Sequence, residues 1–280
     1  MNEYRHHFTD DDRESFRPTE KIGIVATIND DGKPHITLIT TMEPNNEREL
    51  ILGQFSHGLS KMYMQHNNNV AFLIMTLDRR LWLGQARWTH AATDGPEYEH
   101  FNNKPMFRYN TYFGINTVHF MDLVGITGPS PLPMPQIVKS ALWVMLAKMF
   151  RRSGKQEKPL NSIALGLFNN LGALKFLSWV DNNGMPRLVP IIQCQAADPA
   201  RIVFSPGPWG NDLKVIPSGT EVAVFAMTLD MEDVLVRGRY RAFSGLSGLA
   251  EVDIDWVYNS LPPAHGQIYP EVKLEAVRQF

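Results

Sequence analysis

The chain has 280 residues, with 27 Lys+Arg against 29 Asp+Glu and a formal net charge of −2. At 44% apolar and 20% charged it is globular in composition, and its length predicts two domains. The near-neutral balance excludes a nucleic-acid binder that works through a broad basic face, the longest apolar runs are far shorter than a membrane span, and the single Cys194 excludes an intrachain disulfide or a multi-cysteine metal site.

In chain order, MNEYRHHFTDDDR holds no hydrophobic signal region, so no secretion signal and a cytoplasmic location are expected. An apolar run at Ile22–Ile28 meets an Asp-Gly turn and a second run at His35–Thr41, which predicts a β-hairpin. A strand is predicted at Glu49–Phe55, a short helix at Leu59–Asn67, and strands at Val70–Leu77, Leu81–Trp88 and Thr117–Thr127. The proline-rich GPSPLPMP should end this first β region. Gln136–Arg152 then reads as a helix. Val138, Ala141, Leu142, Met145 and Met149 share one face, and Lys139, Lys148, Arg151 and Arg152 lie on or beside the other. SGKQEKP is a polar linker, and Asn161–Asn170 suits a second short helix with Gly172 just past its end.

The pattern then starts again. Strands are predicted at Leu174–Val180, Arg187–Gln193, Arg201–Ser205, Val222–Leu229, Val234–Ala242 and Glu251–Ser260, with a short helical stretch at Asn211–Ile216 cut by Pro217. VAFLIMTLD (Val70–Asp78) recurs as VAVFAMTLD (Val222–Asp230), six of nine positions identical, at an offset of 152 residues. The same offset places Gly32-Lys33-Pro34 on Gly184-Met185-Pro186 and Asn29-Asp30-Asp31 on Asp181-Asn182-Asn183. One slip puts Lys61 on Lys214, and one more puts Gly84 on Gly238. This collinear series indicates an internal duplication. Many short strands with turn punctuation and one small helix per copy predict small β-barrels.

The hairpin with Gly-x-Pro, the strand, the helix opened by Ser60-Lys61, and then VAFLIM and WLGQA resemble the pyridoxamine 5′-phosphate oxidase-like flavin split barrels. The resemblance covers roughly Glu20–Thr127 and Leu174–Ser260. It implies a mainly β fold of two tandem split barrels: 1–128 as the first, 129–172 as a helical linker, and 173–280 as the second. Proteins of that family are usually homodimers with FMN in clefts between subunits. A tandem chain would then form an internal pseudo-dimer, with a further homodimer left open.

FMN ends in a phosphate of nearly two negative charges, so its site needs donors and positive charge at a fixed point. The segment Gln54-Phe55-Ser56-His57-Gly58-Leu59-Ser60-Lys61 leaves a strand and enters a helix, whose N-terminus offers free N–H groups. The resemblance places the phosphate on Ser60 and Lys61, while Gln54 and Ser56 stand where the family has Tyr or Thr. His57 is a further donor candidate, and the flavin-ring contact falls near Arg79. Taken alone, Ser60 reads first as a helix cap and Lys61 as a solvated lysine; the repeat context raises the phosphate reading of the pair. In the second copy Lys214 is the counterpart of Lys61, but Pro206 and Pro208 remove donors and Asp212 repels phosphate, so a degenerate site is expected. Trp209 suits either ring stacking or barrel packing.

No phosphate-binding P-loop, nucleophile elbow or HExxH motif is present, and the nine histidines have no spacing that supports a closed metal site. Cys194 reads as an inert core residue. The helix Gln136–Arg152 is expected to lie against the barrels with its apolar face buried. The alternative is contact between its basic end, Lys148–Lys155, and an anionic membrane surface without stable insertion. The function implied is an FMN-dependent oxidoreductase acting on a small molecule. Pyridoxamine phosphate itself is disfavoured, because the tail VRQF has Arg278 without the family's Arg-x-His. The alternatives are a non-catalytic flavin, deazaflavin or haem module, with His265 as the late axial candidate, and a structural double barrel with a decayed pocket.

Overall fold

The computed structural model describes residues 4–56, 58–105, 114–230, 232–259 and 266–272. His57, His265 and Arg278 lie outside the described residues. The strands are β1 Lys21–Ile28, β2 Pro34–Leu38, β3 Glu43–Pro44, β4 Glu49–Gln54, β5 Asn69–Thr76, β6 Arg80–Ala92 and β7 Thr117–Pro131, with helices α1 Asp10–Phe16, α2 Leu59–His66 and α3 Pro96–Asn103 among them. The linker holds helices Met134–Ala147 and Ser162–Asn169. Then follow β8 Leu174–Val180, β9 Pro186–Pro190, β10 Gln195–Asp198, β11 Arg201–Phe204, a short helix Gly210–Lys214, β12 Glu221–Met227, β13 Asp233–Ser244, β14 Leu249–Asn259 and β15 Gly266–Tyr269.

The molecule is mainly β, with two antiparallel sheets of one topology. The first sheet runs β2-β1-β5-β6-β7-β4-β3. The second, read from its β9 edge, runs β9-β8-β12-β13-β14-β11-β10, with β15 added on β14. The duplication extends to register. Ile22 pairs with Met75 and Leu174 with Met227; Val70 pairs with Ala86 and Val222 with Gly238. Even the β-bulge is repeated, between Gln85 and Ala86 in β6 and between Arg237 and Gly238 in β13. The hairpin turns match as well. Gly32 and Gly184 adopt φ of 77° and 73°, and the side chains of Asn29 and Asp181 accept from the backbone two residues on.

This register corrects one expected pairing. Gly84 does not correspond to Gly238, because the offset of 152 residues holds through the fifth strand and sets Gly84 at the place of Val236. The two glycines meet different neighbours. A Cβ on Gly84 would strike the Phe72 ring, whereas one on Gly238 would strike the Asp253 carbonyl at the bulge. The Gly-Pro-Ser-Pro stretch does not end the β region either, since β7 runs on to Pro131.

By contact the chain divides into two compact units. The first comprises Met1–Gly32, Thr37–Leu132 and Asp181–Leu188; the second comprises Lys33–Ile36, Pro133–Val180 and Val189–Phe280. The core of the first gathers Phe8, Phe16, Phe72 and Trp82 with aliphatics from both ends of the sheet. Helix α1, which the apolar pattern did not predict, is held by a capping box. The Thr9 hydroxyl accepts from the Asp12 N–H, and the Asp12 carboxylate accepts from the Thr9 N–H. The same carboxylate is fully buried and takes the Trp82 indole N–H at 2.8 Å and the Arg5 guanidinium at 2.7 Å. Burial pushes this carboxyl up, but Arg5, the Thr9 N–H and Trp82 together hold it below the usual carboxylate range.

The linker helix overturns a further expectation. It turns Ile137, Val144 and Ala147 inward, and Val144 and Ala147 pack with Val203 and Leu249 of the second unit. Val138, Leu142, Met145 and Met149, expected on the buried face, are exposed. Cys194 is a free buried thiol, which burial pushes up to about 12, so it is inert as expected.

Candidate functional site: the β4–α2 junction of the first unit

Strand β4 ends at Gln54 and α2 begins at Leu59. The cap of α2 is Gly58, which has no side chain to offer its first N–H groups. Ser60 is therefore not the cap. It is the second residue of the helix and fully buried, and its hydroxyl donates to Thr37 Oγ1 at 2.9 Å. Ser60, Tyr63 and Met64 form the buried face of the helix, which leaves Lys61 beside the junction.

Lys61 Nζ donates to the Ser56 carbonyl at 3.2 Å. A Cβ on Gly58 would stand 3.3 Å from Nζ, so glycine leaves the ammonium room at the helix end. Burial alone pushes Lys61 down to about 8, with no carboxylate opposing it among the described residues. Its own N–H capacity exceeds the single carbonyl it touches.

Next to Lys61 lies a chain of polar groups that the sequence did not single out. The Trp88 indole N–H donates to His119 Nδ1 at 3.2 Å, and His119 Nε2 meets Gln54 Oε1 at 2.8 Å. Gln54 Nε2 donates to Asn116 Oδ1 at 3.3 Å, and Asn116 Nδ2 to the Phe55 carbonyl at 3.2 Å. Because the indole can only donate, Nδ1 must accept, so His119 is the neutral tautomer with its proton on Nε2. Burial and then the Lys61 charge push His119 down to about 4. Gln54, itself buried, is thus held at both ends of its amide.

The structure brings Gln54, Ser56 and Lys61 together, with Ser60 turned inward behind them. Ser56 contributes its carbonyl and is exposed. Arg79 is not brought to this place. It sits exposed at φ 65° in the turn between β5 and β6. Gln54 pairs with Thr117 at one end of β7 and Arg80 with Pro131 at the other, so about 45 Å of strand path separates them at 3.3 Å per residue.

At the matching junction of the second unit these groups are replaced. Pro206 follows Ser205 where Gln54 follows Gly53. Ala250 pairs with Phe204 where His119 pairs with Leu52, and Tyr240 pairs with Val252 where Trp88 pairs with Met121. Lys214 and Asp212 are exposed, and Trp209 is buried. Gln193 Nε2 donates to the Ser205 carbonyl, the same bond that Thr41 makes to Gly53 in the first unit.

No family model and no curated protein matches the chain. Solved structures do align with it. HupZ of Group A Streptococcus is 15% identical over 44% of this chain and 96% of that one, with a TM-score of 0.37. An FMN-binding protein from Syntrophomonas wolfei is 14% identical over 43% and 85%, with a TM-score of 0.36. An F420 reductase is 13% identical over 43% and 98%, with a TM-score of 0.35. Each spans a little under half of this chain, about the extent of one copy.

Proposed function

We propose that the first unit binds FMN, with the phosphate at the N-terminus of α2, and that the chain is a flavin-dependent oxidoreductase acting on a small molecule. The observation that carries this reading is Lys61, a half-buried ammonium at a helix end without a side-chain cap, with no carboxylate to offset it among the described residues. A dianionic phosphate supplies the missing charge, and the junction offers it an ammonium and helix N–H groups. The donor set fits the group, since Gln54, Asn116 and Lys61 supply amides and a cation with no competing acid among the described residues. When bound, the flavin supplies hydride or electron transfer. The chain's own residues bind and orient: Lys61 holds the phosphate, Gln54 presents a fixed amide, and His119 holds Gln54 without carrying charge at neutral pH.

The test is a titration of the purified protein with FMN and with riboflavin, followed by visible absorbance and flavin fluorescence. Lys61→Met should weaken FMN binding by about 10- to 100-fold, the worth of one charge-assisted hydrogen bond, and leave riboflavin within about twofold. FMN affinity in the native chain should fall as pH rises through about 8, where free Lys61 loses its proton, and Lys61→Met should lack that fall. Equal loss for both ligands would remove the phosphate assignment. A protein that takes up neither flavin would remove the enzyme reading altogether.

A further inference from the structure

The linker helix Met134–Ala147 and the 3-10 turn Lys148–Arg151 that continues it present an apolar face that no described residue covers. At 100° per residue, the buried Ile137, Val144 and Ala147 share one side, on which Val144 and Ala147 pack with Val203 and Leu249. The opposite side of the helix carries Val138, Leu142, Met145 and Leu146, all exposed, and the 3-10 turn adds Met149 and Phe150, also exposed, with Phe150 at 83%. Trp143 borders them, half exposed, its indole N–H on the Ser247 carbonyl at 2.8 Å. An apolar stripe of this size does not face water without a reason.

Charge on the same segment decides what covers it. Between residues 133 and 160 lie Lys139, Lys148, Arg151, Arg152, Lys155 and Lys158, against Glu157 alone, in a chain whose overall charge is −2. Arg151 is committed to Glu251 and Lys148 to Asn169, but Lys139 on the helix, Arg152 directly after the 3-10 turn and Lys158 further along the linker are exposed. A second copy docked face to face would set these cations against their own equivalents, and like charges across an interface are unfavourable. A layer of anionic headgroups over acyl chains matches both the stripe and the charge. We infer that the linker helix is a peripheral docking face for an anionic phospholipid surface, lying in the interface plane with Leu146, Met149 and Phe150 toward the acyl chains. It does not span the bilayer, since no helix among the described residues is long and apolar enough to do so. This inference does not depend on the flavin reading.

The experiment is co-flotation of the full chain with vesicles of phosphatidylcholine alone and of phosphatidylcholine mixed with phosphatidylglycerol. The chain should float with the anionic vesicles at low salt, stay behind with the neutral ones, and be released as salt rises. Leu146→Ser with Phe150→Ser alters only exposed side chains and should reduce the bound fraction at least about tenfold. Lys139→Glu with Arg152→Glu should do the same, while circular dichroism and the unfolding midpoint stay unchanged. Failure to float with anionic vesicles, or flotation untouched by both double variants, overturns the inference. A dimer by light scattering that Leu146→Ser with Phe150→Ser dissolves, in a chain that ignores vesicles, assigns the face to a second copy instead.

Discussion

At matched positions the first unit sets Trp88, Leu52 and His119 where the second sets Tyr240, Phe204 and Ala250. All but the half-buried Trp88 are buried, yet the chemistry of the two sets differs. In the first, Trp88 and His119 begin a hydrogen-bonded series that ends at the β4–α2 junction beside Lys61. In the second, the Tyr240 hydroxyl is spent on the Leu213 carbonyl at 3.0 Å, and its ring lies near Phe204. One backbone plan therefore carries two chemistries. The first unit keeps hydrogen-bonded polar groups at its β4–α2 junction. The second fills that end and puts its buried charge on β11 and β14, where Arg201 meets Glu251 at 2.9 Å and Asp253 at 2.8 Å, Arg151 meets Glu251 at 2.7 Å, and Arg241 meets Asp253 at 2.6 Å. Such a closed ion cluster holds structure in place, because every charge already has its partner.

The largest expected effect breaks the second side of this comparison. Arg201→Met leaves Glu251 and Asp253 short of a cation in a buried place and should cost about 3–5 kcal/mol in urea unfolding. A loss below about 1 kcal/mol would show that the cluster is no more than a set of surface ion pairs.

The next effect sharpens the first side. His119 has its pKa lowered to about 4 in the folded chain, against about 6.5 when unfolded. Between those values the unfolded chain binds more protons, so stability is highest above about pH 6.5 and falls as pH drops toward 4, by about 3 kcal/mol in all. His119→Gln keeps a hydrogen-bonding amide but cannot titrate, so its stability should be flatter across that window. An unchanged acid slope in the variant would move the lability to another group.

Which of these features the sequence displays follows from how local each one is. The hairpin turns were legible because Asn29, Gly32, Asp181 and Gly184 make their bonds within a few residues. The duplication was legible because strands of one register keep the same spacing, although the slip assigned to Gly84 shows that single identities mislead where the offset has not changed. Helix α1 was missed because it carries little apolar periodicity; Thr9 and Asp12, the capping pair, were its only signal. The inward face of the linker helix was misassigned because that helix is apolar nearly all round, so periodicity does not select a side. His119 was missed for a different reason. Its partners Trp88 and Gln54 lie 31 and 65 residues away on other strands, so no spacing marks it. The signal that could have found it is the alignment of the two copies, which sets a histidine against Ala250.

The smallest expected effect is an absence of change, and it tests whether the lysines at the two junctions are equivalent, since the constant offset sets Lys61 against Leu213, with Lys214 one residue further on. Lys61 is half-buried beside Gly58, Ser56 and the His119 series. Lys214 ends a five-residue helix, exposed to solvent, with Asp212 in the same turn and two prolines upstream that have no N–H to give. An exposed ammonium near a carboxylate is well hydrated and gains little from an added phosphate, whereas a half-buried one without a counter-ion gains much. Lys214→Ala should therefore change FMN affinity and stoichiometry by less than about twofold, within the usual span of a surface substitution. Loss of half the bound flavin in that variant would mean that the second junction is a competent site despite its prolines, and that the difference between the units lies in what each presents to the flavin ring.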